Sequence, residues 1–233
     1  MESVTYQSRR RELEEYFDRT AAEAWAALTS DRPVSGIRAT VRAGRDRMRA
    51  TLLGYLPEDL SGQRVLDAGC GTGALAVEVA RRGADVVAID LSPTLVDLAR
   101  ERSPSRPGAG RIDFRVSDML DPGLGRFDWI VAMDSLIHYQ AADMAEMIAR
   151  LVARADRGMA FTFAPRTALL TVMHAVGRVF PGGNRAPAIE PIREPALRRR
   201  LHEHPSMTGV RVGRSARIDS RFYISNAMEL VRS

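Results

Sequence analysis

The sequence has 233 residues, 45% of them hydrophobic and 27% charged, with a formal charge of +5. That length suits one α/β domain with an appendage and excludes two full domains, since a single core runs to roughly 100–200 residues. No apolar run approaches the roughly 20 residues of a membrane-spanning helix, the only cysteine, Cys70, excludes an intramolecular disulfide, and the polar residues 1–15 lack the core of a secretory signal, so a reducing cytoplasm is expected.

Glu12, Leu13, Tyr16, Phe17, Ala21, Ala24, Trp25 and Leu28 recur at helical spacing until Asp31-Arg32-Pro33 breaks the pattern. A second helical stretch, Ile37 to Leu56, stops at Pro57. Between residues 64 and 165, apolar runs rich in Val, Ile and Phe alternate with helix-period segments, the pattern of βαβ units in a parallel sheet. Strands are predicted at Arg64 to Ala68, Asp85 to Asp90, Ile112 to Ser117, Trp129 to Met133 and Met159 to Phe163. Helices are predicted at Ala74 to Arg82, Pro93 to Arg102 and Ala141 to Arg154, with Ser92 as N-cap of the second. Ser103 to Gly110 reads as a loop.

Beyond Pro165 a helix-like stretch, Thr167 to Phe180, leads into Pro181-Gly182-Gly183-Asn184 and a loop to Pro191, then a short basic helix at Glu194 to His202. Two last strands, Val210 to Ile218 and Phe222 to Val231, flank a polar turn and suit antiparallel pairing. Seven strands result. The positive charge raises nucleic-acid or anionic-membrane binding, yet all 34 basic residues are Arg, scattered along the chain with triplets only at Arg9 to Arg11 and Arg198 to Arg200. Codon bias explains that usage.

The chemistry-bearing motif is Asp67-Ala68-Gly69-Cys70-Gly71-Thr72-Gly73, a strand running into three glycines and a helix. Such glycines allow a tight turn and let a ligand approach the main chain across the strand ends. Alone the pattern also satisfies a dinucleotide fingerprint through Ala74. Asp67 ends the first strand, where a carboxylate accepts from a cationic amino group. Asp90, followed by Leu91, ends the second and suits two ribose hydroxyls. Asp118, followed by Met119, ends the third and suits an adenine amino group with apolar flanks. Taken singly, Asp90 also reads as a helix-cap partner, Asp118 as a turn residue, Gly71 and Gly73 as packing glycines, and Cys70 as a buried filler.

Together, Asp67 to Gly73 with Asp90 and Asp118 resemble the S-adenosylmethionine site of class I methyltransferases. That resemblance implies a Rossmann-like α/β fold, with a seven-stranded mostly parallel sheet whose last strand is antiparallel. The whole chain is similar to the magnesium-protoporphyrin IX O-methyltransferases of bacteriochlorophyll and chlorophyll synthesis. The shared blocks are Tyr16-Phe17-Asp18 with Trp25, Val41-Arg42-Ala43-Gly44-Arg45, the glycine loop, Ser135-Leu136-Ile137-His138-Tyr139, Phe163-Ala164-Pro165-Arg166-Thr167, Val179-Phe180-Pro181-Gly182 and Phe222-Tyr223-Ile224-Ser225.

The resemblance implies methyl transfer from S-adenosylmethionine to a propionate carboxylate of Mg-protoporphyrin IX, giving the monomethyl ester. A propionate, like a glutamate side chain in water, loses its proton at a pH of about 4.3, so it is already ionised at neutral pH and needs no general base. His138 would orient the reacting carboxylate, with Tyr139 beside it. A capping or core role for His138 stays open, while axial ligation of the porphyrin magnesium suits it less, because Mg²⁺ prefers oxygen. Met133, at the fourth strand end, joins Asp67, Gly69, Gly71, Gly73, Asp90, Leu91, Asp118 and Met119 as an expected cofactor contact; no protein metal site is expected. Residues 1–57 would form a helical lid, with Tyr16 and Trp25 as candidate porphyrin contacts that equally suit core packing. Residues 58–233 would form the methyltransferase domain, with a porphyrin-facing insertion at about 166–205 and Arg166 as a propionate partner.

By the same resemblance, partners include the magnesium chelatase porphyrin-binding subunit and an anionic membrane surface. Members often carry a Tyr near Thr29, which this chain lacks there. Three other readings stand beside this one: a methyltransferase for another small carboxylate or hydroxyl, a nicotinamide-dependent oxidoreductase, and an arginine-rich RNA or membrane binder. The second is opposed by Asp67, by Gly73 and by the lack of any Lys for a Tyr-x-x-x-Lys pair. The third predicts steep salt dependence of binding.

Overall fold

The computed structural model describes residues 3–20, 36–103, 110–166 and 188–232. The expectations at Trp25, Asp31 to Pro33, Thr167 to Phe180 and Pro181 to Asn184 lie outside the described residues. Helix α1, Val4–Glu15, starts at Ser3, whose hydroxyl accepts from the Tyr6 N–H, and passes into a π turn at Tyr16–Thr20. Helix α2 spans Gly36–Leu53, stopping at Gly54, short of Pro57.

Alternating elements follow: β1 Arg64–Ala68, α3 Ala74–Arg81, β2 Asp85–Asp90, α4 Pro93–Arg102, β3 Ile112–Val116, β4 Phe127–Ala132, α5 Ala141–Val152 and β5 Ala155–Phe163. Helix α6 Glu194–Glu203 and strands β6 Val210–Ser220 and β7 Tyr223–Arg232 complete the described chain. The Ser92 hydroxyl caps α4 by accepting from the Leu95 N–H at 3.2 Å. Strands β4 and β5 begin earlier than the apolar runs suggest. Their first residues pair as Phe127 with Ala155, and the charged Asp128 and Arg157 that interrupt the apolar pattern face each other at 3.4 Å on the exposed side.

The strand order is β3-β2-β1-β4-β5-β7-β6. Strands β1 to β5 run parallel, and β7 is antiparallel to both of its neighbours, β5 and β6. The strand that comes last in sequence is thus antiparallel, as expected, but it lies inside the sheet.

Side chains alternate across the strands, so each face builds its own core. Leu66, Ile89, Ile130, Met159 and Phe161 pack on one face with Tyr6 and Leu13 of α1, Met144 and Ile148 of α5, and Leu197 of α6. Val65, Val86, Val131 and Ala160 pack on the other with Met48 and Leu52 of α2, Leu75 and Val79 of α3, and Val96 of α4. Met48 and Leu52 are wholly buried, so α2 is a layer of the domain core. Arg214 of β6 ties the end of α2 to the sheet: it donates to the Gly54 carbonyl at 2.8 Å, the Tyr55 carbonyl at 2.9 Å and the buried Glu229 carboxylate at 2.7 Å. No helix among the described residues is long and apolar enough to cross a membrane.

Candidate active site

In open α/β sheets the crevice beyond the carboxyl ends of the strands opens where the strand order reverses. Here that point lies between β1 and β4. A cavity of about 600 Å³ occupies it, walled on one side by Tyr6 and Leu13 of α1 with Phe17 of the π turn, and on the other by Arg42, Arg45 and Arg49 of α2. Asp67, Gly69, Gly71, Asp90, Leu91, Asp118, Met119, Met133, His138 and Tyr139 all line it.

The glycine loop is shaped by close approach. Gly69 has φ +87°, and a Cβ there would lie 2.3 Å from the Ser135 Cβ, so the loop can pass this near the end of β4 only without a side chain. Gly73 serves differently: at φ +80° it precedes α3 and packs against the Phe114 ring, and it does not line the cavity. The Gly71 N–H donates to Asp90 at 2.9 Å and the Ser92 N–H at 3.1 Å, tying the β2 acid to the loop. Burial raises the Asp90 carboxyl above its ordinary value, partly offset by those N–H groups. Burial, reinforced by the charge of Asp90, pushes Asp67 up to about 7, and its Oδ2 is buried without a hydrogen-bond partner. An orphaned carboxylate oxygen on a residue of the cavity wall fits a cationic ligand group. Burial and the two carboxylates raise the Cys70 thiol well above its usual range, which keeps it protonated.

Asp118 is engaged by α1. Its Oδ1 accepts from the Tyr6 hydroxyl at 2.5 Å and the Leu120 N–H at 2.8 Å, and its Oδ2 from Arg10 at 2.8 Å. The Tyr6 ring stacks on Tyr139 with centroids 5.3 Å apart. Burial raises the Tyr139 phenol further, so it stays neutral. His138 is buried, with Nδ1 3.3 Å from the Ala188 carbonyl and its ring edge-on to Phe17 at 5.8 Å.

Two expected porphyrin contacts stand apart. Tyr16 sits on the π turn against Phe17 and does not line the cavity; Phe17 does. Arg166 is exposed beyond β5, its N–H bound to the Ile192 carbonyl, and is absent from the cavity wall. Trp25 is outside the described residues.

A second set of residues was not foreseen. Asp134, directly after Met133, has a left-handed backbone with φ 57° and a carboxylate side chain only 8% exposed. It accepts from Arg45 of α2 at 2.7 Å and from the Tyr223 hydroxyl of β7 at 2.9 Å, while its N–H donates to the Thr162 hydroxyl of β5 at 2.7 Å. Burial and Asp134 raise the Tyr223 phenol, keeping it a neutral donor. The next residue, Ser135, donates to the Ala68 carbonyl at 2.7 Å. The only sequence signal was that Arg45, Ser135 and Tyr223 fall in shared blocks with no assigned role.

The acids, the glycine cradle and the orphaned oxygen together fit a nucleoside carrying a cationic amino-acid end. Residues 132–232 match the family model for the C-terminus of magnesium-protoporphyrin IX methyltransferase, and residues 65–158 match that of a methyltransferase domain. The chain is 48% identical over 225 residues to the magnesium-protoporphyrin O-methyltransferase of Rhodobacter capsulatus, covering 96% of this chain and 97% of the relative. The magnesium-protoporphyrin O-methyltransferase of Synechocystis sp. is 31% identical over 95% of each chain. The crystal structure of magnesium protoporphyrin IX methyltransferase from Synechocystis PCC 6803 with bound SAH superposes with a TM-score of 0.81 at 30% identity, covering 97% of this chain and 100% of that one. A cyclopropane synthase from Mycobacterium tuberculosis, TM-score 0.68 at 15% identity over 96% of this chain and 98% of that one, shares the fold.

Proposed function

The chain belongs to the magnesium-protoporphyrin O-methyltransferase family, and on that premise we propose that it transfers a methyl group from S-adenosylmethionine to a propionate carboxylate of Mg-protoporphyrin IX, giving the monomethyl ester in bacteriochlorophyll synthesis. The observation that carries this reading is one cavity lined at once by the glycine loop, by Asp67, Asp90 and Asp118, and by His138.

Bound S-adenosylmethionine supplies an electrophilic methyl on a sulfonium. Asp67 would receive its amino group, Asp90 the ribose hydroxyls, and Asp118 the adenine edge, flanked by Met119 and Leu91. Gly69 and Gly71 let the main chain approach the ligand, and Met133 closes the end of β4. His138 would hold the acceptor carboxylate in line with the methyl, with Tyr139 packed behind it against Tyr6. Because the nucleophile is already an anion, these residues act by alignment and exclusion of water, which supply much of the barrier reduction in such transfers.

In the expected lid of residues 1–57, α1 and the π turn would then cover the cavity while α2 stays in the core, and the segment at about 166–205 would face the porphyrin, with Tyr16, Trp25 and Arg166 as its outer contacts. The net charge of +5 supports a dianionic acceptor and peripheral attachment to an anionic membrane surface. Substrate would be received from the magnesium chelatase porphyrin-binding subunit, as the resemblance implies.

Incubation with methyl-labelled S-adenosylmethionine and a panel of metalloporphyrins and small carboxylates tests the reading. Alkali-labile label on Mg-protoporphyrin IX is the expected result. Label on a small carboxylate or hydroxyl, with none on any porphyrin, would overturn it.

A further inference from the structure

His138 sits on a single 3₁₀ turn, Leu136–His138, a short element with poor hydrogen-bond geometry of its own. Its support comes from about 50 residues further along the chain. Residues 188–192 run past the turn as a strap. The Ala188 carbonyl lies 3.3 Å from His138 Nδ1, and the Glu190 N–H donates to the Ile137 carbonyl at 2.8 Å. A carbonyl oxygen can only accept, so the Ala188 contact puts the proton of a neutral His138 ring on Nδ1.

The far end of the strap is anchored beside β5. The Ile192 N–H donates to the Ala164 carbonyl at 3.0 Å, its carbonyl accepts from the Arg166 N–H at 3.1 Å, and its side chain is buried. The near end has another tie. Arg9 of α1 places Nη2 3.4 Å from the Glu190 carboxylate, with the two side chains 19% and 30% exposed, while its Nη1 reaches Glu12 one turn on at 2.9 Å.

The other side of the turn is held by α1 and the π turn themselves, through Tyr6 stacked on Tyr139 and Phe17 edge-on to His138. The Arg9–Glu190 pair therefore joins the two holders between which His138 is set. An ion pair this exposed adds little to stability. Its effect lies in where it keeps the strap.

We propose that Glu190 is a positioning residue for methyl transfer: paired with Arg9, it keeps the Ala188 carbonyl on His138 and so keeps the ring set for the acceptor. The proposal rests on the reading of His138 as the group that holds the acceptor carboxylate.

Glu190→Arg sets two guanidinium groups against each other and leaves every backbone hydrogen bond of the strap available. In single turnovers with labelled S-adenosylmethionine and Mg-protoporphyrin IX, both saturating, transfer should slow by about tenfold or more. S-adenosylhomocysteine should bind within about twofold of the parent. Arg9→Glu combined with Glu190→Arg rebuilds the pair in reverse and should return the rate to within about threefold of the parent. Nitrogen-15 NMR of the four histidines supplies a readout besides rate, with His138 identified by its loss in His138→Ala. Its Nδ1–H signature should move in Glu190→Arg and return in the double variant. A parent rate in Glu190→Arg, a double variant as slow as the single one, an unmoved His138 resonance, or an equal loss of S-adenosylhomocysteine affinity overturns the proposal. Should Glu190→Arg fail to fold, Glu190→Gln decides: a parent rate with an unmoved resonance overturns it. Full-rate transfer by His138→Ala would instead refute the reading of His138 itself.

Discussion

The Tyr6 hydroxyl donates to Asp118 at 2.5 Å while the Tyr6 ring stacks on Tyr139. The first helix is thereby fastened to the end of β3 through an acid that also faces the cavity, with Arg10 on the other carboxylate oxygen. Tyr6→Phe keeps the stacking and removes one charge-assisted hydrogen bond. The expected outcome is a loss of about 1–2 kcal/mol in unfolding free energy by urea titration, and faster amide exchange in Val4–Glu15. Unchanged exchange there would show that the hydroxyl does not hold α1.

The Asp67 carboxyl, pushed up from 3.8 to about 7, binds its proton more tightly in the folded chain than in the unfolded one. Its contribution to stability is complete below the unfolded value and is lost as pH rises through about 7. A cationic ligand favours the ionised form, so affinity runs the other way. The dissociation constant for S-adenosylmethionine should rise by up to about tenfold per pH unit below about pH 7. Calorimetry across that range checks this, and in Asp67→Asn both the pH dependence and the apo destabilisation at high pH should vanish.

His138 lines the cavity beside Phe17. In single-turnover assays with both substrates saturating, His138→Ala should slow methyl transfer by about a hundredfold, the scale of a lost positioning contact. Affinity for S-adenosylhomocysteine should stay at the parent level. Transfer at the parent rate would remove His138 from the chemistry.

Arg214 neutralises Glu229, whose carboxyl it holds below the usual range, and lies over the Tyr55 ring at 4.7 Å. Arg214→Ala leaves that buried carboxylate without its cation. Because Arg214 itself is half-exposed, a cost of about 2 kcal/mol is expected, below the roughly 3–5 kcal/mol of a broken fully buried pair. Adding Glu229→Gln should recover part of it in a double-mutant cycle read by thermal unfolding.

Strands β1 and β2 were legible to the residue because β2 is an apolar run, Val86 to Ile89, bounded by acids, and β1 runs from Arg64 straight into the glycine motif. The residues around the glycine loop were legible for the same reason: the motif is local, and the strand ends bring its acids together. Gly73 looked like a ligand contact, yet its missing side chain makes room for Phe114. Tyr16 and Phe17 were indistinguishable by spacing, and the change from α-helix to π turn at that point leaves Phe17 on the cavity wall. The Arg45, Asp134 and Tyr223 cluster was beyond local reading. Each link spans 89 residues, and it forms only because β7, besides its hairpin with β6, pairs with β5, a contact that no short-range pattern encodes.

That pairing has a consequence for biosynthesis. β7 follows every other described strand in the chain, yet it occupies an interior slot and delivers Tyr223 to the buried Asp134. While the chain is still emerging from the ribosome, the first five strands can associate, but β5 keeps an open edge and Asp134 lacks its β7 donor. The donor pocket is therefore the last part of the molecule to mature, and nascent chains that stop before Tyr223 would present an unfinished sheet edge for chaperones to recognise.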